Sequence, residues 1–96
     1  MVITKSLNGT EETFKVEGRL DTQAAPTLLE ELERMDDHVE SLVFDFSELE
    51  YMSSMGLRAL IIASKKVNGA LVIKNVSPRI MSILSTTGLD KTIRIE

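Results

Sequence analysis

Leu42-Val43-Phe44-Asp45-Phe46 is a short, nearly continuous apolar run that gives way to the polar stretch Ser47 to Ser54, carrying Tyr51 and Met52. Beyond it Leu57, Leu60, Ile61, Ser64 and Val67 recur at helical spacing, and Asn68-Gly69 closes the pattern. An apolar run of this length with little alternation fits a strand buried on both faces. The stripe that follows fits an amphipathic helix stopped by a left-handed residue. Leu71-Val72-Ile73 comes directly afterwards and reads as another buried strand. Strand, helix and strand in close succession make a right-handed crossover between parallel neighbours. The segment therefore sets the class as α/β with a mainly parallel sheet.

Toward the N-terminus, Gln23 to Met35 reads as a helix, with Ala25, Leu28, Leu29, Leu32 and Met35 on one stripe and Glu30, Glu31, Glu33 and Arg34 largely opposite. Asp21 or Thr22 is placed to cap its first amides, and Pro26 is tolerable near its start. Before it, Val2-Ile3-Thr4 and the alternating Thr13-Phe14-Lys15-Val16-Glu17 flank the turn dipeptide Asn8-Gly9. This hairpin is expected to end at Gly18, where the alternation stops. Toward the C-terminus, Ser77-Pro78 is an N-cap followed by proline at the first helical position. Ile80, Met81, Ile83 and Leu84 give the third helix its apolar side, Gly88 its end, and Thr92 to Ile95 a last strand. The expected order is β-β-α-β-α-β-α-β, one domain over residues 1–96. Its sheet is mixed and mostly parallel, with an N-terminal hairpin at one edge and helices packed on it.

Composition removes several classes of function. Hydrophobic residues make up 43% and charged residues 27%, a globular rather than a disordered mixture. Lys and Arg number 11 against 15 Asp and Glu, a net charge of −4 that suits no phosphate backbone, so no direct nucleic-acid contact is expected. The longest apolar runs fall far short of the roughly 20 residues that cross a bilayer, so membrane insertion is not expected either. The opening MVITKSLNGT has no extended apolar core, and the expected location is the cytoplasm. The absence of Cys removes disulfides and thiolate chemistry, and a single His leaves no metal-ligand set. No cofactor and no metal are expected. His38 falls between the first helix and the strand that begins near Leu42. Ser54 follows the other end of that strand, roughly 17 Å away for five residues. No serine–histidine pair forms at that separation, so the chain is not expected to be an enzyme. The acidic pairs Glu30-Glu31 and Asp36-Asp37 read as solvated helix surface.

The loop from Asp45 to Arg58 joins a buried strand to a helix, beyond the carboxyl ends of the strands, where α/β sheets usually meet ligands and partners. Ser53 and Ser54 stand at the expected start of the helix, where free amides and the dipole favour negative charge. One of them can serve only as an N-cap, worth about 1 kcal/mol. A phosphate on one would add about −1.5 to −2 charges beside donors already in place. Such a change would alter docking rather than folding. Met52, Met55 and Leu57 are candidate apolar docking groups, thioethers adapting readily to partners. Asp45, near the end of its strand, reads as an acceptor that orders the loop.

Taken together, Gly18-Arg19-Leu20-Asp21, the run Leu42 to Phe46 into Ser47, Tyr51-Met52-Ser53-Ser54-Met55-Gly56-Leu57, and Ser77-Pro78 resemble a STAS domain, more narrowly a bacterial anti-sigma factor antagonist. The family's loop reads Asp-Ser-Ser/Thr-Gly/Ala-Leu/Ile. Alignment on Gly56-Leu57 sets Ser54 at the serine that family members have phosphorylated, with Ser53 as second choice. Ser53 then stands where the family has Asp, and Met55 replaces the second hydroxyl. The resemblance implies partner switching: the unphosphorylated protein sequesters an anti-sigma factor serine kinase and frees a sigma factor for transcription. Phosphorylation would break the complex and a serine phosphatase would restore it. The implied partner surface comprises Asp21, Asp45, Ser47, Met52, Ser53, Met55, Gly56, Leu57 and Arg58, on a chain that is monomeric when free. The alternative within the family is a STAS accessory or regulatory subunit of a membrane lipid or anion transport system.

Overall fold

The hairpin forms first in the chain: β1 (Val2–Asn8) runs antiparallel to β2 (Glu11–Leu20), with Asn8 opposite Glu11 across the turn. A computed structural model describes residues 1–96 and continues with α1 (Ala25–Glu33), β3 (Ser41–Asp45), β4 (Leu49–Met52), α2 (Ser54–Lys66), β5 (Leu71–Lys74), α3 (Pro78–Thr87) and β6 (Arg94–Ile95). A 3-10 turn over Leu89–Lys91 precedes β6. The main sheet is ordered β1-β2-β3-β5-β6, and every pairing after the hairpin is parallel. The α/β class and the hairpin at one edge are as the sequence predicts.

Each crossover steps the same way across the sheet, from β2 to β3, to β5, to β6. Right-handed connections that never reverse direction place every helix on one face. Phe14, Val16, Leu42, Phe44, Phe46, Leu71 and Ile73 point to that face and join Leu28, Leu32, Leu60, Ala63, Ile80 and Leu84 in a single core of 21 residues. Phe14 and Phe44, register partners on β2 and β3, meet edge to face with centroids 5.8 Å apart. The opposite face carries no helix. Val43, 7% exposed, is the one buried hydrophobic side chain outside the core, shielded beside its register neighbours Thr13 and Val72. The run Leu42 to Phe46 is thus covered by helices on one side only, not on two as its composition suggests.

The largest departure from the sequence reading is β4. Ser47 to Ser54 reads as a polar loop, yet Leu49–Met52 pairs in parallel with the end of β2. Gly18 pairs with Leu49, Arg19 with Tyr51 and Leu20 with Met52, so Glu50 is an extra, unpaired residue in the ladder. Such a bulge breaks the period-two pattern. Leu49 and Met52 both turn inward although three residues apart, and no alternation marks the strand. For the same reason β2 does not end at Gly18. It passes through Gly18 at φ +92°, a conformation costly for residues with a Cβ, and pairs with β3 through its first half and β4 through its last.

The helices also differ in detail. α1 starts two residues later than expected and ends two earlier. A turn over Thr22 to Ala24 precedes it, held by Asp21, whose Oδ1 accepts from the Ala24 amide at 2.9 Å. On α2 the buried stripe is Gly56, Ala59, Leu60 and Ala63, continued by Val67, whereas Ile61 is 39% exposed. The expected stripe shared only Leu60 and Val67 with this one. Small side chains, not bulky ones, mark where this helix lies close to the sheet. α3 follows expectation, with Ser77 Oγ accepting from the Ile80 amide at 3.2 Å and Gly88 ending it.

Because β1 runs against β2 while β6 runs with β5, the first residue of β1 and the last of β6 both lie at the carboxyl edge of the parallel strands. Met1 packs beside Gly18 there.

Candidate functional site

β4 delivers the chain directly into the serine pair. The Ser53 amide donates to the Leu20 carbonyl at 2.9 Å, which continues the β2–β4 ladder by one more bond. Ser53 then takes an extended conformation (φ −91°, ψ 174°), and its Oγ accepts from the Gly56 amide at 3.3 Å. Its carbonyl accepts from the Leu57 amide at 3.0 Å. Ser53 is therefore the N-cap of α2, and Ser54 is the first helical residue, with its side chain exposed. The amides of Ser54 and Met55 have no partner within the protein. Of the two hydroxyls one is committed to structure and the other stands free beside two unsatisfied donors.

Gly56 fixes how closely this helix end approaches the sheet. A Cβ there would lie 2.8 Å from Leu20 Cγ, 2.9 Å from Met52 Cγ and 3.0 Å from the Leu20 carbonyl oxygen. The same crowding explains two corrections to the expected partner surface. Met52 is only 2% exposed and Gly56 is buried, so both belong to the foundation of the loop and neither presents a docking surface. Met55 and Leu57 are half-buried and packed against the core, leaving part of each at the surface. Arg58 is exposed.

Asp21 follows Leu20, the residue whose carbonyl holds Ser53, so the end of β2 brings it to the serine loop. Asp45 ends β3, where its Oδ1 accepts from the Ser47 amide and from Asn75 Nδ2, both at 3.0 Å. The Asn75 hydrogen bond, aided by the Ser47 amide and by Lys15, holds its carboxyl below the usual value of 3.8 against a smaller opposing effect of burial. Asn75 sits at φ +60°, in the left-handed region that asparagine tolerates. Asp45 thereby ties the loop after β3 to the loop after β5, the ordering role its position suggests, and Ser47 is exposed beside it. His38 lies before β3, at the far end of that strand from the serines, and is exposed. Its Nδ1 is 2.7 Å from Asp36 Oδ1, and that hydrogen bond raises the imidazole pKa above 6.5.

No local sequence pattern marks the neighbouring groove. A cleft of about 580 Å³ opens beside Gly18, lined by Arg19, Asp21, Gln23, Thr27 and Glu50. Arg19 lies over the Tyr51 ring, 4.3 Å from its centroid, an arrangement of the ladder that pairs the two residues. The hidden register of β4 concealed it.

The STAS domain family matches residues 4–96, almost the whole of this chain. The chain belongs to the STAS domain family. The anti-sigma-B factor antagonist of Bacillus subtilis (strain 168) is 30% identical over 83 residues, which span 83% of this chain and 76% of the relative. An anti-sigma factor antagonist from Mycobacterium paratuberculosis, 25% identical, superimposes with a TM-score of 0.87 over 98% of this chain and 83% of its own. The Bacillus cell fate determinant SpoIIAA in its phosphorylated form, 15% identical, has the same fold, with a TM-score of 0.75 over 99% of this chain and 91% of its own. The protein is thus a STAS domain of the anti-sigma factor antagonist type, similar to regulatory proteins rather than enzymes. No helix of this STAS domain is long and apolar enough to cross a membrane.

Proposed function

We propose that this STAS domain is a partner-switching antagonist controlled at Ser54. Unphosphorylated, it binds an anti-sigma factor that is itself an ATP-dependent serine kinase, and a sigma factor is released for transcription. The kinase transfers the γ-phosphoryl group of ATP to Ser54 Oγ. The bond from phosphorus to the β,γ-bridging oxygen breaks, the new P–O bond forms, the hydroxyl proton passes to a base of the kinase, and ADP leaves. The added charge, about −1.5 to −2, sits on a docking surface that must exclude water, and the complex separates. A serine phosphatase hydrolyses the ester and restores binding. The protein acts in the cytoplasm, as a monomer when free, with Asp21, Ser47, Met55, Leu57 and Arg58 contributing to the contact.

The division of labour in the serine pair carries this reading: Ser53 Oγ caps the helix, and Ser54 is exposed beside two unpartnered amides. Modification at Ser54 leaves the cap in place, so the switch acts on binding and spares the fold. SpoIIAA, which shares the fold, exists in a phosphorylated form, and this also supports the reading.

Incubation with the cognate kinase and ATP, followed by mass mapping, is expected to place one phosphate on Ser54. Ser54→Asp and Ser54→Glu are expected to lose kinase binding. Ser54→Ala binds constitutively at unchanged stability, whereas Ser53→Ala loses about 0.5–2 kcal/mol of cap. Undiminished binding in both acidic variants would falsify the switch, and phosphate found on Ser53 would move it by one residue. Capture of permease components in place of a kinase would favour the transport-accessory role.

A further inference from the structure

We propose that Arg58 is the internal counter-ion of a phosphate on Ser54, so that modification withdraws a cation from the docking surface while adding an anion. This rests on the reading of Ser54 as the modified residue and concerns what the phosphate does once it is there.

Ser54 and Arg58 stand four residues apart on α2, and both are exposed. Residues at that spacing lie one above the other on the same face. The Cα–Cβ bonds of a helix tilt toward its N-terminus, so the Arg58 side chain leans back over the turn that holds Ser54. Acid before base at this spacing is the favourable order. Arg58 also lacks a carboxylate of its own. The ion pairs of the molecule are Lys5–Glu31, Arg34–Glu31, His38–Asp36 and Arg94–Glu96. An unengaged guanidinium is a planar fork of donors suited to two phosphate oxygens at once.

The other charges around this end of α2 do not compete for that role. Arg19 is held over the Tyr51 ring. Asp21 after β2 and Glu48 and Glu50 around β4 are acidic, and the first turn of α1 carries no acid. Of the other bases on elements packed against β4, Lys15 on β2 acts on Asp45 and Lys65 and Lys66 lie in the last turn of α2, which leaves Arg79 in the first turn of α3.

Two states follow. Without phosphate, Arg58 is free to meet an acidic group on the partner. With phosphate, the guanidinium is engaged within its own helix, and the partner loses a contact in addition to facing new negative charge. The pair also holds the phosphorylated turn in one conformation.

The test is a ³¹P NMR pH titration of protein carrying phosphoserine at position 54, installed by genetic encoding so that no kinase is required. The second ionisation is expected below the ordinary value of about 6. Arg58→Gln should raise it by roughly 0.15–0.4 unit, Arg58→Lys should retain most of the depression, and Arg79→Gln should leave it unchanged. The difference between parent and Arg58→Gln should collapse in 1 M salt, where screening acts within about 3 Å. Superimposable titrations for the parent and Arg58→Gln, or a shift produced by Arg79→Gln instead, overturn the proposal. A kinase that never modifies Ser54 defeats the proposed function and leaves this titration standing, so the two failures are told apart.

Discussion

At Gly56 two local preferences oppose each other. In an isolated helix alanine would be favoured over glycine by about 1 kcal/mol. Here the added methyl would meet Leu20 and Met52 at under 3 Å, and the Leu20 carbonyl, fixed by the Ser53 amide, has no freedom to retreat. Overpacking of this kind costs about 1–3 kcal/mol, so Gly56→Ala is expected to lose stability in urea unfolding despite its better helix propensity. A stabilised Gly56→Ala would mean that α2 does not rest on β2 and β4 as closely as described. At this scale the sequence was a good guide to the exposed hydroxyl and a poor one to its surroundings. Adjacent serines before a helix announce a cap, but only the ladder bond from Ser53 to Leu20 decides which serine it is. Bulk and flexibility suit Met52 to a docking surface. Its burial depends on a strand pairing that its neighbours do not advertise.

Among the elements, β4 is the one that sequence patterning concealed, and its bulge explains why. With Glu50 set aside, Leu49, Tyr51 and Met52 alternate inward, outward and inward against Gly18, Arg19 and Leu20. Deletion of a residue from a strand normally turns every later side chain to the wrong face. Deletion of Glu50 should instead leave a regular one-to-one ladder. The shortened protein is expected to fold, with its circular dichroism spectrum retained and with chemical shifts perturbed mainly around Gly18 to Leu20 and Leu49 to Ser54. Deletion of Tyr51 should be far more damaging. Equal damage from both would argue against an unpaired Glu50. The remaining elements were legible because their signals are local. Ser77-Pro78 and Gly88 bound α3, Asn8-Gly9 sets the hairpin, and Leu42 to Phe46 supplies the central strand. The inner face of α2 departs from its apolar pattern because hydrophobic bulk marks Ile61, while the contact is made through Gly56, Ala59 and Ala63.

Across the whole molecule, a sheet covered on one side leaves a long outer strand, β1, with an unpaired edge and with Val2 and Leu7 more than half exposed. Such an edge invites pairing with another chain. Lys5 sits mid-strand, opposite Phe14 on the helix side of the sheet, with its Nζ 2.6 Å from Glu31 Oε2 on α1. That contact, chiefly a hydrogen bond from Lys5, also holds the Glu31 carboxyl below 4.5. A charge turned inward from an edge strand is a recognised guard against edge-to-edge association. Lys5→Val is therefore expected to produce concentration-dependent self-association in sedimentation experiments while the monomer remains folded. A strictly monomeric Lys5→Val would show that the edge is protected by something else. The carboxyl edge of the sheet has a separate practical meaning, since Met1 and β6 both arrive there, Met1 on the side of β2 and β6 at the opposite end of the sheet. Any affinity tag, fluorescent fusion or neighbouring domain joined to either end of these residues begins its path at the edge that carries the proposed docking surface, and one joined at Met1 starts beside Gly18. A reporter inserted at Asn68-Gly69, between the end of α2 and the start of β5, would sit at the opposite rim and leave the proposed switch unobstructed.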